Sequence, residues 1–241
     1  MNGGFFMHLF RRGMRDGISI ALGYLSVSFS FGILSVQSGL TVWQAVLISL
    51  TNLTSAGQVA GVGLIADHAS MMELILAEIV INIRYALMSL VLSQKADTSF
   101  RLPHRMLASY GLTDEIFAVA SIQKEPVKPR YMYGLILVPF LGWTLGTWLG
   151  AAAGTILPEQ ITNALGIALY GMFLAIILPP ARKSRAILAV ISIAAVISVL
   201  LHFLAKQLSG GFAMIIAAVL AAVFGAILFP VPDEDEAKEA E

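Results

Sequence analysis

Between Asp16 and Asp67 the chain carries no Asp, Glu, Lys or Arg. A stretch that long cannot be the core of a water-soluble domain, whose elements must each turn a polar face to water every few residues. The rest of the sequence agrees: 58% of the 241 residues are hydrophobic and 12% are charged, where a soluble domain has about 25% charged. Helices of bilayer length are the structure this pattern predicts.

Apolar segments run over 17–36, 42–66, 73–93, 131–154, 160–179, 186–205 and 210–229, each near the roughly 20 residues that cross the hydrocarbon. All seven are expected as helices. A helix satisfies its own backbone in lipid, and runs such as AVISVLLHFLA lack the alternation of a barrel strand. An eighth segment, 106–122, holds Gly111 near its centre and two adjacent acids. It reads as a polar span, a re-entrant half-helix or an interfacial helix. The fold class is therefore an all-α polytopic membrane protein of seven or eight transmembrane helices. Residues 1–230 form its single domain, and the acidic stretch 231–241 is expected as a disordered tail.

Basic clusters bear on topology. Lys124, Lys128 and Arg130, and Arg182, Lys183 and Arg185, are expected inside, with the turns near 155–158 and 206–210 outside. Upstream the rule conflicts with itself. Arg11, Arg12 and Arg15 and the group Lys95, Arg101 and Arg105 cannot both be inside if three full spans separate them. If 106–122 crosses there are eight spans and the N-terminus is inside; otherwise there are seven and it is outside, the form slightly favoured. The first apolar run, with no small-residue cleavage site after it, reads as a retained span.

Fifteen basic residues balance fifteen acidic ones, so nothing points to nucleic acid; the bilayer is the partner. With no cysteine there is no disulfide, thiolate ligand or cysteine nucleophile. The histidines are unclustered, and metalloprotease, P-loop and dinucleotide motifs are missing, so no metal, cofactor or enzymatic activity is expected.

Polar residues inside the apolar runs carry the functional signal. Thr51, Asn52, Thr54, Ser55 and Gln58 interrupt the second run, followed by Gly57, Gly61 and Gly63. A helix unwound here would free backbone groups to line a site for a polar solute; the alternative is hydroxyl back-bonding and close packing at glycine. The amides of Asn52 and Gln58 favour the site. In the third run Glu78, Asn82 and Tyr85 share a face, with Arg84 about 120° around the helix from Glu78. Arg84 is placed either to receive a carboxylate or to pair with an acid such as Asp114. At Thr113-Asp114-Glu115, a threonine cap with acids in the first turn explains the triplet locally; a broken helix holding a proton or an amine explains it functionally. Tyr24 and Trp143 are added as cavity liners. They belong to GYLSVSFSFGILS and VPFLGWTLGTWLG, two similar stretches that would open units of opposite orientation, an inverted repeat with discontinuous helices.

In the ordered set SLTNLTSAGQVAGVGLI, NIRYALMSLVL and YGLTDEIFAVAS, together with GYLSVSFSFGIL, the chain resembles the AzlC-type branched-chain amino-acid permease family. Those motifs match as Ser55-Ala56-Gly57-Gln58, as Asn82-Ile83-Arg84-Tyr85 and as Thr113-Asp114-Glu115. Tyr85 stands where histidine is commoner, and the first run lacks a proline often found there. The resemblance implies an inner-membrane exporter of hydrophobic amino acids such as leucine, isoleucine and valine, working with a small AzlD-type membrane protein. In that reading Asn52, Ser55 and Gln58 supply hydrogen bonds, Arg84 attracts the substrate carboxylate, and Asp114 takes its ammonium or exchanges a proton. Tyr24, Asn82, Tyr85, Glu115 and Trp143 complete the expected site, and protons are the expected coupling ion.

Overall fold

The computed structural model describes residues 3–205 and 207–230. Ten helices follow in order: α1 (Gly3–Gln37), α2 (Val42–Thr51), α3 (Ser55–Ala66), α4 (Met71–Lys95), α5 (Leu102–Tyr110), α6 (Asp114–Ser121), α7 (Pro129–Gly154), α8 (Glu159–Lys183), α9 (Arg185–Leu204) and α10 (Gly210–Leu228). Among the described residues the only extended pairing is one bridge, Ala96 with Val127. Five helices there are long and apolar enough to cross a membrane: Met7–Gln37 of α1, α4, α7, α9 and α10. Hydroxyls set many of the starts. Thr41 forms a capping box with Gln44, and the side chains of Thr54, Ser70, Thr113 and Ser184 accept from the first turns of α3, α4, α6 and α9, satisfying N–H groups that no helix can pair internally.

The axis of the molecule is the pairing of α1 with α7. A Cβ on Gly13 would strike the backbone at Tyr131 and Leu135, one on Gly32 the backbone at Thr147 and Ala151, and one on Gly150 the backbone of Phe29. Residue numbers rise together along both helices, so α1 and α7 are parallel. Glycines at these points bring the two backbones into direct contact, as small residues do between membrane helices. The small residues of GTWLGAAAG thus pack within the chain, against α1. Those of α10 do likewise, Gly225 lying under Val190 of α9.

The α2/α3 pair does not cross. A short turn joins the end of α1 to α2, and another joins the end of α3 to α4. Along α3, Gly57 faces Glu78 and Asn82 while Gly61 faces Glu78 and Leu74, so α3 runs back antiparallel to α4. Helix α4 then ends beside the start of α1: Lys95 donates to the carbonyls of Ser121 and Gln123, and Gln123 accepts from Arg12. Both ends of α2/α3 therefore lie at the C-terminal end of α1. The α5/α6 pair mirrors this from the other end. His104 meets Tyr133, Tyr110 meets Phe140 deeper along α7, and α6 returns to Gln123 beside Arg12.

These two re-entrant hairpins change three expectations. The run 42–66 is not a continuous span but two half-helices, broken at the polar Asn52–Thr54. The count of seven or eight spans does not follow, and the seven-span form with an external N-terminus is replaced, since α1 and α7 being parallel requires that both or neither of the hairpins cross. The stretches around Tyr24 and Trp143 do not open oppositely oriented units; the opposition lies between the hairpins, which enter from opposite ends.

The conflict among basic clusters then disappears. Gly211 of α10 lies against Glu73 at the start of α4, and Gly225 lies against Val190 near the start of α9, which places Arg182–Arg185 at the same end as the start of α1. All four basic clusters share that end, and by the positive-inside rule it is cytoplasmic. At this end Asp97 accepts from the hydroxyl and N–H of Ser99 at 2.6 and 2.9 Å, which holds its carboxyl below the usual range. The acidic stretch 231–241 lies outside the described residues.

Candidate functional site

The two hairpin tips meet halfway along α1 and α7. The Tyr110 hydroxyl donates to the Leu50 carbonyl, joining the tips directly. Breaking α2 from α3 strands backbone groups in the bundle interior, and an unsatisfied carbonyl there is expensive. Gln58, 1% exposed, resolves this by donating from Nε2 to the Asn52 carbonyl. Its Oε1 accepts from Trp143 Nε1 at 2.9 Å, and Ser49 lies 2.7 Å from Thr147. The first break is thus bolted to α7.

At the second tip, Gly111 is required because a Cβ would enter the side chain of Ile136. Thr113 caps α6 and lies 2.6 Å from the Tyr24 hydroxyl. That hydroxyl has one proton, and Glu115 Oε2 stands 2.5 Å away. Tyr24 therefore donates to the carboxylate and accepts from Thr113, whose own oxygen receives the Ile116 N–H at 3.4 Å. Tyr24 also packs edge-on against Trp143, with ring centroids 5.2 Å apart.

From α4, Arg84 Nη1 reaches Asp114 Oδ2 at 2.5 Å, with both side chains near 40% exposed (41% and 44%). Its Nη2 donates to the Tyr85 hydroxyl at 3.3 Å, its guanidinium lies 5.0 Å from the Tyr85 ring centre, and its Nε is buried without a hydrogen-bond partner. Tyr85 donates to Thr54 at 3.3 Å, Thr54 to Asn82 at 2.8 Å, and Asn82 to Glu78 at 2.7 Å. The cap of α3 is in this way tied to a single face of α4.

Between these groups lies a cavity of about 360 Å³. Tyr24, Ser55, Arg84, Tyr85, Thr113, Asp114, Glu115 and Trp143 are its polar lining residues, and Leu53, Ala56, Ile81, Phe173 and Ile177 its apolar ones. Of the ten residues expected from sequence, Asn52, Gln58 and Asn82 do not line it; they hold the α2/α3 break together. The other seven do. The expected site left out Thr113, read only as a helix cap, and Leu53, together with Ala56, Ile81 and the two α8 residues. A signal for the first two was present, because Leu-Thr precedes the second half-helix of each hairpin, in Leu53-Thr54-Ser55 and in Leu112-Thr113-Asp114.

A cavity held at mid-bundle by two broken helices, with ionisable groups on its wall, is the architecture of a transporter's binding site. The AzlC protein family model matches residues 19–157, which contains α2 to α7 and all of the cavity except its α8 wall. The chain belongs to the AzlC family. This is a family of membrane transport proteins, not of enzymes. An uncharacterized membrane protein of Archaeoglobus fulgidus is 34% identical over 215 residues, 88% of this chain and 92% of its own. An uncharacterized membrane protein of Helicobacter pylori is 31% identical over 62% of this chain and 68% of its own. The inner membrane protein YgaZ of Escherichia coli is 24% identical over 74% of this chain and 76% of its own. No solved structure matches. The chain is accordingly a multi-pass protein of the cytoplasmic membrane with a role in transport.

Proposed function

We propose that this AzlC-family chain exports branched-chain and other hydrophobic L-amino acids by secondary active transport, coupled to protons and assisted by a small AzlD-type membrane subunit. The observation that carries this reading is a single mid-bundle cavity whose lining includes a guanidinium, two carboxylates and several apolar side chains. A zwitterion needs donors for its carboxylate, an acceptor for its ammonium and an apolar space for its side chain. The opening turn of α3 and the Arg84 guanidinium donate, a carboxylate at the opening of α6 accepts, and Leu53, Ile81, Phe173 and Ile177 supply apolar lining. Such a surface discriminates weakly between side chains differing by one methylene, so leucine, isoleucine and valine are expected to compete.

The test is movement of radiolabelled leucine in proteoliposomes of defined orientation, with and without the co-expressed small subunit, under imposed pH gradients. Selective, gradient-dependent leucine movement supports the reading. Movement of an unrelated polar solute without leucine would replace it by export of that solute.

A further inference from the structure

The two carboxylates at the start of α6 are adjacent in sequence but differ in what they face. Asp114 is engaged by Arg84 at 2.5 Å. Among the described residues Glu115 makes no ion pair; its Oε2 is held by the neutral Tyr24 hydroxyl at 2.5 Å. The ionisable groups that share the cavity with Glu115 are Tyr24 from α1, Arg84 and Tyr85 from α4, and its own neighbour Asp114. Trp143 of α7 and Phe173 and Ile177 of α8 line the same cavity, and none of them titrates. One guanidinium against two carboxylates leaves the cavity one negative charge in excess. The Glu115 carboxylate is exposed to the cavity and has no fixed cation of its own; it can be met there by a proton, or by the ammonium of a bound amino acid whose carboxylate goes to the N–H groups opening α3 and to Arg84.

Resting on the amino-acid reading above, we propose that Glu115 is the single carboxylate for which substrate ammonium and proton compete, and that this competition makes the protein an antiporter. Once protonated, Glu115 has lost the charge that attracts an ammonium and presents an O–H instead. When the substrate binds, its ammonium pairs with the ionised Glu115 and one proton leaves to solution. Asp114 cannot serve this way while Arg84 holds it; its part is to neutralise and orient Arg84. A site that holds proton or substrate, never both, returns a proton inward for each amino acid carried outward. The inward proton gradient then drives export, whereas joint binding of proton and substrate would drive uptake.

The test is leucine binding to the full chain in nanodiscs, followed by calorimetry in buffers of different ionisation enthalpy between about pH 5 and 9. The expected result is proton release on leucine binding at the acid end of this range, approaching one proton per leucine, with affinity falling by up to about tenfold for each unit by which the pH is lowered. 3-Methylbutylamine, which keeps the ammonium, should also release a proton; 4-methylpentanoate, which lacks it, should not. Glu115→Gln should abolish proton release, and Glu115→Asp should retain it. Leucine binding that is independent of pH and releases no proton would overturn the shared carboxylate while leaving amino-acid transport standing, and so would proton release that survives in Glu115→Gln. Absence of leucine binding at every pH would overturn both.

Discussion

Replacing Gly150 by alanine adds one methyl group at the point where α7 touches α1. That methyl would overlap the carbonyl oxygen of Phe29 and sit 2.6 Å from its carbonyl carbon and 2.8 Å from its Cα, where ordinary contact begins at 3.4 Å. Both carbon contacts fall well short of that, and the obstruction is backbone, which cannot rotate aside. The helices must part, at about 1–3 kcal/mol for an overpacked site. Part of this is offset by alanine's helix preference, worth about 1 kcal/mol over glycine. Gly23→Ala on the facing helix supplies the control, because a Cβ there meets nothing within 4 Å. Its expected effect is neutral or slightly stabilising. The difference between the variants isolates the cost of separating α1 from α7. Separation acts on the site because α1 carries Tyr24 and α7 carries Trp143, whose edge contact and bond to Gln58 fix the first hairpin tip. Gly150→Ala should therefore lower the unfolding midpoint in detergent by several degrees and weaken leucine transport, while Gly23→Ala does neither. Equal midpoints for the two variants would refute the parallel α1–α7 contact.

Two further outcomes follow from the same geometry. Arg84→Gln strands Asp114, and Asp114→Asn strands Arg84, so each single change should destabilise more than the double change; because both groups are over a third exposed, the coupling is expected at about 1 kcal/mol, and a strictly additive cycle in unfolding measurements would refute the pair. The chain has no native cysteine, which makes its topology directly measurable. Ser38→Cys and Asp67→Cys, at the two ends of α2/α3, should react with an impermeant thiol reagent from outside the cell, and Thr98→Cys and Lys124→Cys, at the ends of α5/α6, only from inside. Labelling of Ser38→Cys and Asp67→Cys from opposite sides would show that α2/α3 crosses.

Much of the site could be read from residue types. Thr54 and Thr113 announce helix starts because a hydroxyl before a first turn satisfies N–H groups that nothing else reaches, and a start within a long apolar run implies a break. Arg84 and the acids at 114 and 115 stand out because charge inside a span needs a partner or a purpose. Gln58 was read by the same logic as a substrate group, yet it is consumed in closing the Asn52 break. An amide's two ends look alike in sequence whether they face a solute or a stranded carbonyl.

What the sequence determined alone was composition along the chain: which segments avoid water, where they break, and which charges are trapped. It could not determine direction. A run of 25 apolar residues has the same hydropathy whether it crosses the membrane or turns back halfway, because transfer from water depends on the surface buried and not on the path taken through the hydrocarbon. The path was decided by contacts between distant segments: the glycine seam that forces α1 and α7 to run parallel, the antiparallel packing of α3 on α4, and the meeting of the two hairpin tips. Those contacts also chose Asp114 rather than Glu115 as the partner of Arg84, because only the folded chain fixes which carboxylate α6 turns toward α4.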